Sequence, residues 1–141
     1  MKLFLKFIAT SACLFAFFSI MATPAWCEDM SPEKVRSYQF AEYFSHKDLK
    51  GMASLLGDDI IVYDPDKITK GKENFLELLK NNFDKTKIIT FRINSLYQQG
   101  TTTIFEFELS FDDDKYKGVD IVLWENNEMK EIHCYYNPVR Q

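Results

Sequence analysis

The stretch "TTTIFEFELSF", residues 101–111, decides the fold. Phe105, Phe107, Leu109 and Phe111 alternate with Glu106, Glu108 and Ser110, a period of two that turns one face to a core and the other to water. A sheet wet on one side is the arrangement that such a strand requires. "KIITFRINSLY", residues 87–97, precedes it across a turn at residues 98–101. "GVDIVLWE", residues 118–125, and "MKEIHCYYNP", residues 129–138, follow, joined at Glu125, Asn126 and Asn127. Toward the N-terminus the period becomes helical. In "SPEKVRSYQFAEYFSHKD", Ser31 is placed to cap and Pro32 to open a helix whose apolar side holds Val35, Phe40, Ala41, Tyr43 and Phe44. "LKGMASLLG", residues 49–57, predicts a short second helix stopped by Gly57, and "GKENFLELLKNNF", residues 71–83, a third carrying Phe75, Leu76, Leu79 and Phe83. One apolar strand, in "DDIIVYDPDKITKG", lies between the second and third helices. Helices early and a strand meander late predict an α+β domain, three helices on one face of a curved antiparallel sheet, over residues 31–141.

The first 27 residues differ from the rest. Lys2 and Lys6 are their only charges, and the run from Leu3 to Met21 is rich in Leu, Phe, Ile and Ala. Small residues follow at Thr23 and Ala25, or at Ala25 and Cys27, which fits signal-peptidase cleavage. The expectation is a secretory signal peptide at residues 1–25 and an exported product, periplasmic or secreted. The alternative is an uncleaved anchor, and contact with a membrane is expected only through this segment. If cleavage follows Ala25, Cys27 and Cys134 both remain, and they either bridge or leave Cys134 as an ordinary buried thiol.

Without Lys2 and Lys6 the 17 basic residues fall to 15 against 21 acidic ones, a net charge of −6. With no basic cluster, that balance argues against nucleic acid as a partner. Two histidines, His46 and His133, and the two later cysteines show no zinc-ligand spacing. The acidic run at residues 112–114 reads as a solvated hairpin tip with too few converging oxygens for calcium. Neither a metal nor a cofactor is expected.

The order of helix, short helix, "LLGDDIIVYDP", a glycine opening a third helix, and strands closing on "NNEMKEIHCYYNP" resembles the NTF2-like superfamily, in its SnoaL-like and ketosteroid isomerase-like branch. The resemblance spans residues 34–138. It implies a cone whose sheet wraps the helices around a deep apolar pocket, here lined by Phe40, Phe44, Val62, Phe105, Phe107, Val122, Trp124, Cys134 and Tyr136. In the isomerases of that branch the aspartate before the Asp-Pro proline is a general base, and Asp64 matches it. A second acid on the penultimate strand stays protonated and donates to a developing enolate, and Asp120 matches that one. The family's tyrosine on the first helix, its other oxyanion donor, is replaced by Phe40. Such a loss typically costs about 10² to 10³ in rate, which argues against a steroid isomerase as such, and Tyr43, about one turn on, is the nearest substitute.

The residues themselves leave alternatives open. Asp64 before Pro65 is a turn initiator or a pocket acid. Asp120 shares a face with Val122 and Trp124, in the pocket or at a strand end in water. A carboxyl held among such side chains resists ionisation and becomes an acid near neutrality. His133 falls on the face opposite Ile132, Cys134 and Tyr136, as an outer or interface residue. Three functions follow: a pocket protein that binds a small apolar molecule; a metal-independent proton-transfer enzyme of isomerase or cyclase type, with Asp64 as base and Asp120 as acid; and a homodimeric interaction domain paired through the outer sheet face.

Overall fold

The computed structural model describes residues 30–139, so the expected signal segment and Cys27 lie outside the described residues. The chain runs α1 (Pro32–Ser45), α2 (Leu49–Leu55), β1 (Leu56–Asp64), β2 (Lys67–Lys70), α3 (Lys72–Lys85), β3 (Ile89–Gln99), β4 (Thr102–Phe111), β5 (Asp114–Glu125) and β6 (Glu128–Pro138). The six strands form one sheet in the order β2-β1-β6-β5-β4-β3, with the helices against its inner face.

The local signals act as the sequence suggests in most places. Ser31 caps α1 by accepting from the Lys34 N–H, and Pro32 occupies the first turn. Asp48 caps α2 in the same way, accepting from Gly51 N–H at 2.9 Å. Gly71, at φ +86°, precedes α3 in a backbone conformation that other residues resist. Asn126 and Asn127, both at positive φ, make the two-residue turn from β5 to β6.

Four expectations change. The sheet is mixed rather than antiparallel: β1 and β6 run parallel, pairing Val62 with Ile132 and Tyr63 with His133. The cause is β2, unforeseen because "KITK" is too short to show a period. It folds back on one side of β1, α3 carries the chain to the far edge, and the last strand closes the sheet beside β1. Gly57 does not stop α2. The helix ends at Leu55 and the strand begins at Leu56, leaving Gly57 in β1, where a Cβ would press to 3.2 Å from the Met129 carbonyl. Val35 is exposed, and the buried side of α1 holds Ser37, Phe40, Ala41 and Phe44. Finally, β5 starts at Asp114 instead of near Gly118. The strand passes through Gly118 because an added Cβ there would lie 2.4 Å from the Tyr135 carbonyl oxygen and 2.7 Å from Phe107 Cζ.

The core closes one end of the sheet with a buried polar chain. Ser37 Oγ donates to the Glu33 carbonyl at 2.9 Å and lies 3.1 Å from Thr103 Oγ1, which leaves Thr103 as donor of that pair. Thr103 in turn accepts the Trp124 indole N–H at 2.8 Å. Every donor in the chain is used, as burial demands. The acidic hairpin tip is also structural. The Asp112 carboxylate accepts the backbone N–H groups of Ile88 and Lys87, which hold it below the usual carboxylate range and pin the link from α3 to β3.

Candidate functional site

The far end of the sheet is not filled. A cavity of about 230 Å³ opens there between the inner face and the helices α1 and α3. Alternation decides which strand residues reach it: Val62 and Asp64 from β1, Phe107, Leu109 and Phe111 from β4, Tyr116 and Asp120 from β5, and Ile132, Cys134 and Tyr136 from β6. Phe40 and Phe44 from α1, Phe91 from β3, and Phe75, Leu78, Leu79 and Asn82 from α3 complete the wall. Among the described residues lining it there is no lysine, arginine or histidine.

Asp64 combines the two roles that its sequence context left open. It pairs with Lys67 across the turn at Pro65 and Asp66, and its carboxyl also faces the cavity. Half-burial raises its pKa, a shift opposed by the neighbouring Cys134 thiol and by Lys67. Asp120 stands in the middle of β5 and is only 3% exposed. Burial pushes its pKa up to about 7, with the Asp64 charge adding to the rise and Cys134 opposing it. Its Oδ1 is buried with no hydrogen-bond partner. The Cys134 thiol is raised as well, first by burial and then by the two acids, and so is the Tyr136 phenol. Near neutrality the cavity therefore holds one deeply buried carboxyl that resists ionisation beside a half-buried one, an arrangement suited to moving a proton or to donating to a ligand oxygen.

Of the expected pocket residues, Phe40, Phe44, Val62, Phe107, Cys134 and Tyr136 line this cavity. Phe105, Val122 and Trp124 do not: they face inward but are buried in the closed end of the core, Phe105 beside Phe40 of α1 and Trp124 tied to Thr103. Tyr43 is no stand-in for the absent tyrosine, because its ring packs on α2, where a Cβ on Gly51 would lie 2.6 Å from it. From α3, the helical spacing turns Phe75 and Leu79 into the wall, with Asn82 exposed beside them. His133 is on the outer face, stacked on Tyr63 at 4.4 Å between ring centroids and 3.1 Å from Glu131.

Solved structures share this architecture. An LEH-like epoxide hydrolase of Mycobacterium tuberculosis superposes with a TM-score of 0.67 at 13% identity, over 75% of this chain and 83% of that one. A candidate ketosteroid isomerase of Kribbella flavida gives 0.68 at 12% identity, over 78% and 81%. A candidate SnoaL-like polyketide cyclase of Shewanella putrefaciens gives 0.68 at 13%, over 77% and 91%. At such identities the likeness is one of fold. No curated protein matches the sequence significantly. The profile of the SnoaL-like domain matches residues 38–131, two thirds of the sequence, and with the NTF2-like architecture around it the chain belongs to the SnoaL-like domain family.

Proposed function

We propose that this is an exported pocket protein that holds a small, neutral, largely apolar molecule, with one oxygen of that molecule set against Asp120. The observation that carries the reading is the buried, unpartnered Asp120 Oδ1 in a wall made mostly of phenylalanine and leucine. Buried polar atoms are normally paired, and a ligand group supplies the missing partner. The 230 Å³ cavity compares with about 150 Å³ for an engineered apolar cavity that takes benzene, which favours one or two rings. Two acids in a wall that carries no cationic side chain disfavour an anionic ligand. The test is a pair of probes that share one ring system: 2-naphthol is expected to bind, followed by amide NMR shifts at the cavity, and 2-naphthoate to bind at least about tenfold more weakly, roughly 1.4 kcal/mol. Equal binding of the two, or binding of neither, overturns the proposal. Export rests on the apolar N-terminal run and is tested by sequencing the N-terminus of the mature protein.

A second reading, a metal-independent proton-transfer enzyme, is favoured by the unequal environments of the two acids. Asp64 would take a proton from the carbon beside a ligand carbonyl and Asp120 would donate to its oxygen. Asp64→Asn is then expected to slow solvent-deuterium exchange into a bound ketone by about 10² or more. Exchange unchanged in the folded variant excludes Asp64 as base.

Pairing of two copies is favoured by the outer sheet face. Register aligns Ile68, Tyr63, His133, Ile121, Ile104 and Tyr97 in one row across all six strands, with Ile68 56% and Tyr97 61% exposed. We expect a homodimer through this row, broken by Ile104→Asp in sedimentation velocity while naphthol binding persists. A wild-type monomer at high concentration removes this reading.

A further inference from the structure

We propose that Cys134 is a positioning residue of the cavity: its thiol bridges Asp64 and Asp120 and decides which of the two holds the shared proton. This deepens the pocket reading above and rests on it. The geometry begins with strand order. Asp64, Cys134 and Asp120 stand on three neighbouring strands, β1, β6 and β5, with the cysteine in the middle. Asp120 and Cys134 are direct cross-strand partners. The parallel register pairs Tyr63 with His133, so the next residues, Asp64 and Cys134, come side by side on the inner face. All three side chains line the cavity, and the register sets the thiol between the two carboxyls.

A thiol has one proton to donate and a sulfur that accepts weakly. It can satisfy one carboxylate at a time, and the surroundings choose which. Lys67 and Asp66 sit near Asp64 at the β1–β2 turn, where water also reaches. Asp120 is buried to 3% exposure and its Oδ1 lacks any partner. The other titratable groups facing the row are the Tyr116 and Tyr136 phenols, and the helices bring no charge to the cavity, Asn82 being their one polar side chain there. The ionised member is therefore Asp64, which takes the S–H. Asp120 keeps its proton, with the sulfur as its acceptor until a ligand oxygen displaces it. The result is a directed chain, Asp120 O–H to Sγ–H to the Asp64 carboxylate, in which every donor is used and each bond polarises the next. Ligand entry at Asp120 then weakens the hold of the thiol on Asp64 and raises the basicity of Asp64, tying the readiness of the base to the presence of a ligand.

The experiment uses the whole protein without ligand. Carbon-detected NMR follows the Asp64 and Asp120 carboxyls through pH in wild type, Cys134→Ala and Cys134→Ser, with Asp→Asn variants for assignment. Removing the donor is expected to move the Asp64 titration upward, and serine, which keeps a donor, to bring it back toward or below the wild-type position. Infrared spectra of the wild type supply a second readout: the S–H stretching band should shift as Asp64 titrates and stay fixed in Asp64→Asn. Titrations unmoved in Cys134→Ala overturn the proposal, and so does an S–H band insensitive to pH, which decides the matter even if the alanine variant does not fold. If instead both acids of the wild type titrate as exposed aspartates, the pocket reading itself falls.

Discussion

Asp120→Asn is expected to leave stability unchanged near pH 3 and to raise it by as much as about 4 kcal/mol at pH 8. The sign follows from linkage. The Asp120 carboxyl moves from an ordinary 3.8 to about 7 on folding. Below the lower value both folded and unfolded chains hold the proton and nothing is lost. Between the two values the unfolded chain releases it while the folded chain keeps it, so stability falls by about 1.4 kcal/mol per pH unit. Above about pH 7 the folded chain carries a buried charge and the loss is complete. Asp64, raised in the same direction, adds to the slope. Asp59, Glu108 and Asp112 are lowered and act oppositely, but they are exposed and solvent screens them. Asparagine cannot ionise, so the variant should lose most of the slope. Urea unfolding across pH 3 to 8 measures it, and parallel curves for variant and wild type would mean that Asp120 is not the buried acid described.

Phe105→Ala is expected to cost about 3–5 kcal/mol, the usual range for emptying a fully buried phenylalanine site. Phe105 is 0% exposed, with its ring 6.4 Å from Phe40 and 6.3 Å from Phe91 between centroids. The neighbouring rings are braced by one another and by the sheet, so little collapse can offset the void. Naphthol binding in the folded fraction should change little, since Phe105 lies outside the cavity wall. A cost below about 1 kcal/mol together with altered binding would restore the sequence-based expectation that Phe105 belongs to the pocket.

That expectation shows where sequence reasoning runs out. Alternation along "TTTIFEFELSF" correctly separates inward from outward residues, and the inward set, Thr103, Phe105, Phe107, Leu109 and Phe111, is as the period requires. It says nothing about depth along the strand. Thr103 and Phe105 lie in the closed end, Thr103 tied to Ser37 of α1, while Phe107, Leu109 and Phe111 line the cavity. The same division on β5 puts Val122 and Trp124 in the core and leaves Tyr116 and Asp120 at the cavity. Only the placement of the helices separates the two ends, and helix placement is a tertiary fact. Asp64 was legible because its Asp-Pro step ends a strand of the right face. Asn82 reads as a solvated residue of an amphipathic helix, and it is exposed where it borders the cavity. Strand β2 was lost to its brevity, and with it the parallel closure of β1 on β6.

That closure bears on how the molecule is made. Tyr63 and His133, paired between β1 and β6, are seventy residues apart in sequence, whereas β3, β4 and β5 meet through tight hairpins. Local pairings form early and distant ones wait for the entropy of a long loop to be overcome. Two of the three members of the acid row, Asp64 and Cys134, thus meet across the most distant strand pairing in the sheet. A nascent chain that has not yet completed its last strand can hold the hairpins but has no site, so the chemistry of the cavity is the last property the chain acquires.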